Sequence, residues 1–187
     1  ALVHRRLAVI DVAGGDQPLF EPGGAALIAN GELYSYRELR RDLLADIAFA
    51  TGSDCEPALH LYRREGLGFA DRLRGMWAIA IHDRAARRVV LSRDPFGIKP
   101  LYLAETAQGL AFASEPRALL DAGLVARGID ARARDELLEL QFTTGAETIF
   151  PGIRRLLPGE TVAIEEGRIV ERRRRAALPE GAPEAID

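Results

Sequence analysis

Between Met76 and Glu115 the chain carries four short apolar runs, MWAIAIHD (76–83), RRVVLSRD (87–94), PLYLAE (100–105) and GLAFASE (109–115), joined by brief charged or Gly-bearing links. Runs this short, rich in β-branched and aromatic residues, read as strands, and links this short reverse the chain. The expectation is an antiparallel meander. Such sheets must be covered on their apolar faces, so helices elsewhere in the chain are needed to complete the fold.

Upstream, RLAVIDV (6–12) and AALIAN (25–30) read as two further strands separated by the loop GGDQP (14–18). In YSYRELRRDLLAD (34–46) the period changes, with Tyr36, Leu39 and Leu43 recurring at three- and four-residue intervals, which predicts an amphipathic helix. A second helix is predicted in CEPALHLYRREG (55–66), where Ser53 or Asp54 can cap the free amides, Pro57 suits the first turn and Gly66 can end it. EPRALLDAG (115–123) and DARARDELLELQF (130–142) read as helices, and TVAIEEGRIVE (161–171) as Gly-punctuated strand. Strands and helices cluster instead of alternating, so the fold class is α+β on antiparallel sheets.

The 187 residues are 48% hydrophobic, ample for one core, with 28 acidic and 25 basic side chains and a formal charge of −3. That balance gives no global attraction for nucleic acid or an anionic membrane. No apolar run approaches a membrane span and the first residues lack signal-peptide regions, so the expected location is cytoplasmic. The one cysteine and three histidines offer no metal-ligand spacing. Residues 172–187, with four arginines followed by small residues and prolines, read as a linker after a domain spanning 1–171, and the arginines as an exposed strand end.

Four segments could carry chemistry. Asn30-Gly31 is a hairpin signal when read alone, but Gly also lets backbone approach a ligand, and an Asn side chain with a nearby amide makes the donor pair that an acyl-transfer oxyanion requires. In TGSDCE (51–56), Asp54 could cap a helix or hold an ammonium group. In HRRL (4–7) an arginine could clamp a carboxylate or end a strand in solvent. SRDPFGIKPLY (92–102) reads as a structural corner in which Arg93 and Asp94 pair. Cys55 has no adjacent histidine and reads as a packed thiol, not a nucleophile.

In order and spacing, HRRLAVIDVAGGDQPLF, NGELYSYRELR, TGSDCEPALHLYRREG, LRGMWAIAIHD, LSRDPFGIKPLYL, FASEPRALL and IFPGIRRLLPGETVAIEEG resemble the glutaminase domain of the asparagine synthetase family, the class II, N-terminal-nucleophile glutamine amidotransferases. The resemblance implies a four-layer αββα sandwich. It implies that Asn30 and the Gly31 amide stabilise the oxyanion, that Arg6 binds the glutamine carboxylate, that Asp54 and Glu32 hold its amino end, and that backbone around Val9 and Ile10 lines the pocket. No cofactor is implied in this domain. ATP and magnesium are implied in a covalently linked synthetase domain, with a homodimer of the whole protein left open.

The family's attacking group is an N-terminal cysteine, and residue 1 here is Ala. The expectation is therefore a fragment without its first strand and nucleophile, catalytically silent alone, from a protein that hydrolyses glutamine and passes ammonia to adenylated aspartate. The alternatives are an amidotransferase with another acceptor, such as a surface polysaccharide or secondary metabolite, and a non-catalytic structural or interaction module.

Overall fold

The computed structural model describes residues 2–7 and 9–178. In chain order its elements are β1 (Leu19–Phe20), β2 (Ala25–Leu33), α1 (Tyr36–Glu38), α2 (Glu56–Glu65), β3 (Gly75–Asp83), β4 (Arg88–Arg93), β5 (Tyr102–Thr106) and β6 (Gly109–Ala113). Then follow α3 (Pro116–Asp121), α4 (Ala131–Leu140), β7 (Ile153–Arg155), β8 (Glu160–Glu165) and β9 (Arg168–Arg174). Every strand pair is antiparallel. A six-stranded sheet has the order β1-β2-β3-β4-β8-β9, and a three-stranded sheet the order β6-β5-β7.

Strand alternation sorts the apolar residues into three cores, and the cores define four layers. Leu27, Ala29 and Leu33 of β2 and Trp77, Ile79 and Ile81 of β3 pack on Ala58, Leu59, Leu61 and Tyr62 of α2. Their neighbours Ile28, Ala78, Ala80, Leu91 and Val162 turn the other way, onto Leu103, Leu110 and Phe112 of the smaller sheet. The far face of that sheet, with Ala104 and Ile153, is covered by Leu119 of α3. The order is helix, sheet, sheet, helix: the αββα sandwich.

Three local expectations are corrected. The four strands from Met76 to Glu115 form two hairpins in different sheets, because the chain leaves the large sheet at Asp94. The Asp94 carboxylate accepts the amides of Phe96, Ile98 and Lys99 within 3.1 Å. Arg93 donates to the carbonyls of Gly97, Lys99 and Leu156, each at 2.7 Å. The two charges thus bind backbone instead of pairing with each other, and the segment is the structural corner expected. Gly97 lies at φ +64°, and a Cβ there would meet Pro158 Cγ at 2.9 Å.

The second correction concerns 34–46. After α1 the chain widens into a π-helical turn over Leu39–Leu43, with Leu44 N–H donating to Leu39 O at 2.9 Å. The extra residue per turn brings Leu44 beneath Leu39 and leaves Leu43 half-exposed. The third concerns 6–12, where no strand forms among the described residues. Arg6 Nη2 donates to the carbonyls of Ile10 and Asp11, Asp11 takes φ 51°, and Gly15 N–H donates to Asp11 O, so the chain turns here.

The last strand, β9, runs three residues past 171, with Arg172 on Glu160 and Arg173 on Asp71. Of the expected linker, residues 179–187 lie outside the described residues. No helix among the described residues is long and apolar enough to cross a membrane.

Candidate active site

The two sheets splay apart to leave a cleft of about 980 Å³. Arg6, Val9, Ile10, Asn30, Gly31, Glu32 and Asp54, the seven residues singled out from the sequence, all line it. Three separate loops or strands contribute them, so their meeting is a product of the fold.

Asn30 and Gly31 do not form a hairpin turn. They lie within β2, opposite Ala78 and Trp77 of β3. Glycine is required at 31 because a Cβ would sit 2.2 Å from Met76 O and 2.7 Å from Trp77 Cα. Asn30 and Glu32 share the parity of Ile28 and therefore face the inter-sheet cleft.

The backbone around Gly31 shows where its N–H goes. Trp77 N–H and C=O are engaged with Asp94 on the β4 side, so the opposite residue, Gly31, turns its own amide toward the outer edge of β2. Along that edge every second residue has a partner. Ala25 N–H donates to Glu21 Oε1, Leu27 pairs with Leu19 of β1, Ala29 N–H donates to Gln17 Oε1 and Leu33 N–H donates to Asp54 Oδ2. Among the described residues the Gly31 amide alone of this series has none. An unpaired amide beside the Asn30 carboxamide is a donor pair waiting for an acceptor.

The charged residues flank these donors. Arg6 is half-buried, and its Nη1 makes no hydrogen bond among the described residues, with Asp16 Oδ1 3.5 Å away. A buried guanidinium N–H that makes no hydrogen bond among the described residues suits a carboxylate ligand. Asp54 is 7% exposed and does not cap α2; one oxygen holds Leu33 N–H at 2.7 Å, and the other takes no N–H or O–H from the described residues. Ser53 Oγ accepts the Cys55 N–H at 3.3 Å instead.

Cys55 stands next to Asp54 on the cleft wall and is 4% exposed. Burial, then the Asp54 carboxylate, pushes its thiol well above the usual range, so it holds its proton. A thiol in that state is a poor nucleophile.

Residues 1–174 match the family model described as a glutamine amidotransferase domain. The chain belongs to the glutamine amidotransferase family. It is 47% identical over 116 residues to a protein of Bacillus subtilis (strain 168) named asparagine synthetase [glutamine-hydrolyzing] 2, covering 62% of this chain and 15% of that one. It is 43% identical over 164 residues to a putative asparagine synthetase [glutamine-hydrolyzing] of Mycobacterium tuberculosis, covering 82% of this chain and 25% of the relative. This amidotransferase chain thus spans 15% to 25% of the length of those relatives. A solved structure of glutamine phosphoribosylpyrophosphate amidotransferase from B. subtilis shares the fold at TM-score 0.61 and 23% identity, over 84% of this chain and 31% of that one.

Two residues that hold the walls of this cleft together escaped the sequence reading. Asp11 accepts Gly14 N–H at 3.0 Å and Gly52 N–H at 2.7 Å, tying the Arg6 loop to the Asp54 loop. Gln17 grips Ala29 from the opposite side. Asp11 lies in what read as strand (6–12) and Gln17 in what read as loop (14–18); neither reading marks a side chain that binds backbone, and only the neighbouring glycines signal close packing.

Proposed function

We propose that the complete protein hydrolyses glutamine and delivers the ammonia to a linked synthetase unit that activates aspartate. The observation that carries this is the open Gly31 amide beside Asn30, set in one cleft with an underused guanidinium and an underused carboxylate. Glutamine is a zwitterion with a carboxamide at its far end. Arg6 takes its carboxylate, Asp54 and Glu32 take its ammonium, and the carboxamide then lies at Asn30 and Gly31.

When a thiol attacks the carboxamide carbon, the carbonyl oxygen becomes an oxyanion, and Asn30 Nδ2 and the Gly31 N–H stabilise it. Collapse expels ammonia and leaves a thioester, which water converts to glutamate. The thiol in this reading is the N-terminal cysteine implied by the family, since Cys55 remains protonated. Charge fits charge at each end.

The relatives are named as glutamine-hydrolysing asparagine synthetases, which supports aspartate as acceptor. ATP and magnesium belong to the synthetase unit. Among the described residues no group of three His, Cys, Asp or Glu could hold a metal ion, so the residues present do not fit magnesium and no step here runs through it.

The test is ammonia release by the full-length protein with glutamine, aspartate, ATP and magnesium, beside the same protein carrying Asn30→Ala. A fall of about 10²-fold in the variant is expected for the loss of one oxyanion donor. A folded full-length protein that releases no ammonia would instead be a non-catalytic module.

A further inference from the structure

The edge of β2 is completed by side chains where strand pairing stops. β1 covers only Leu27 and Ala26, yet β2 continues to Leu33. At Ala29 the carboxamide of Gln17 takes the place of a neighbouring strand. Its Nε2 donates to Ala29 O at 3.2 Å and its Oε1 accepts Ala29 N–H at 2.6 Å. A primary amide supplies donor and acceptor side by side, as a peptide group does, and neither a carboxylate nor a thioether can do both.

We propose that Gln17 is a positioning residue for amide hydrolysis: it fixes the peptide that carries Asn30 and Gly31, so that the Gly31 N–H points at the forming oxyanion. The inference rests on the reading of Asn30 and Gly31 as the oxyanion donors. Ala29 is 5% exposed, so water is a poor substitute for the Gln17 carboxamide. The open amide at Gly31 is bracketed by Gln17 on Ala29 and Asp54 on Leu33, which hold the strand extended on both sides of it. The loop bearing Gln17 is itself anchored, because Asp11 accepts the amides of Gly14, Gly15 and Gly52 through its carboxylate and carbonyl.

Gln17 acts on the donors and not on the zwitterion clamp, so its loss has a distinctive kinetic signature. Oxyanion stabilisation is exerted in the transition state, whereas Arg6 and Asp54 hold the ground state as well. In the full-length enzyme, Gln17→Met, which keeps length without hydrogen bonds, lowers kcat by about tenfold to a hundredfold, the scale of a small misplacement of catalytic groups. KM for glutamine stays within about threefold. Gln17→Glu, which keeps the acceptor but puts a carboxylate against Ala29 O, shows the same split.

Steady-state kinetics of the three proteins, with thermal unfolding of each, decides the matter. Unchanged kcat in a folded Gln17→Met enzyme overturns the inference, as does a loss that follows the unfolded fraction. If Gln17→Met does not fold, Gln17→Glu is judged by the same split. If neither folds, Gln17 is a folding residue and the inference fails. A parent enzyme that releases no ammonia fails the functional reading, and the Gln17 role falls with it; an active parent with unaffected variants fails the Gln17 role alone.

Discussion

The main-chain N–H of Leu33 donates to Asp54 Oδ2 at 2.7 Å across 21 residues of sequence. One carboxylate thereby closes the edge of β2 while its residue lines the cleft. The two tasks separate by mutation. Asp54→Asn retains an acceptor for Leu33 but loses the charge, so KM for glutamine rises by about tenfold or more while the fold persists. Asp54→Ala also leaves Leu33 N–H without its acceptor and costs about 1–3 kcal/mol of stability. Glutamine kinetics of the full-length enzyme and urea unfolding of this chain measure the two effects.

Gly31→Ala tests whether the residue serves packing as well as chemistry. The new methyl carbon would meet Met76 O and Trp77 Cα, both backbone, so β2 and β3 must separate. We expect a loss of about 1–3 kcal/mol together with hydrolysis, read from unfolding midpoints and ammonia release. A variant as stable as the parent would contradict the strand register.

Cys55 is expected to resist alkylation. Its thiol is buried, and burial and Asp54 both hold the proton on sulfur. Iodoacetamide, followed by mass spectrometry, should modify the folded chain about a hundredfold or more slowly than the chain in urea, since reaction requires local opening. Rapid modification of the folded chain would reopen Cys55 as a nucleophile.

Glu56 makes stability depend on pH. Burial opposes its ionisation, but hydrogen bonds from the Thr51 hydroxyl and the Ala50 and Thr51 amides outweigh burial and hold its carboxyl below the usual glutamate value. Because the folded value is depressed, its stabilisation is present above the unfolded value and is lost as pH falls through the folded one. Glu56→Gln should therefore flatten the acid limb of stability, measured as urea midpoints between about pH 7 and about pH 3. An acid limb as steep as the parent's would contradict this role.

The sequence pattern alone revealed most elements and their order. The helix over 55–66 was legible because proline and glycine signals agree locally, although neither Ser53 nor Asp54 caps it, and the break between the last two strands was marked by the glycine at 167. The cleft residues were legible through the resemblance, because read locally each polar one had a structural alternative. Asn30-Gly31 looked like a turn, and Asp54 like a helix cap.

Distance in sequence separates the two kinds of knowledge. Periodicity and turn chemistry act over a few residues, so strand and helix identities, the α+β class and the amidotransferase resemblance lay in the order of residues. The division of the strands between two sheets depended on Asp94 and Arg93 binding backbone. The π turn at Leu39–Leu43 depended on which leucine could reach the core. The partner of each amide along β2 came from Glu21, β1, Gln17 and Asp54, segments joined only by folding. Hydrogen-bond satisfaction is a property of the whole fold. It left the Gly31 amide open where every second neighbour along that edge is paired.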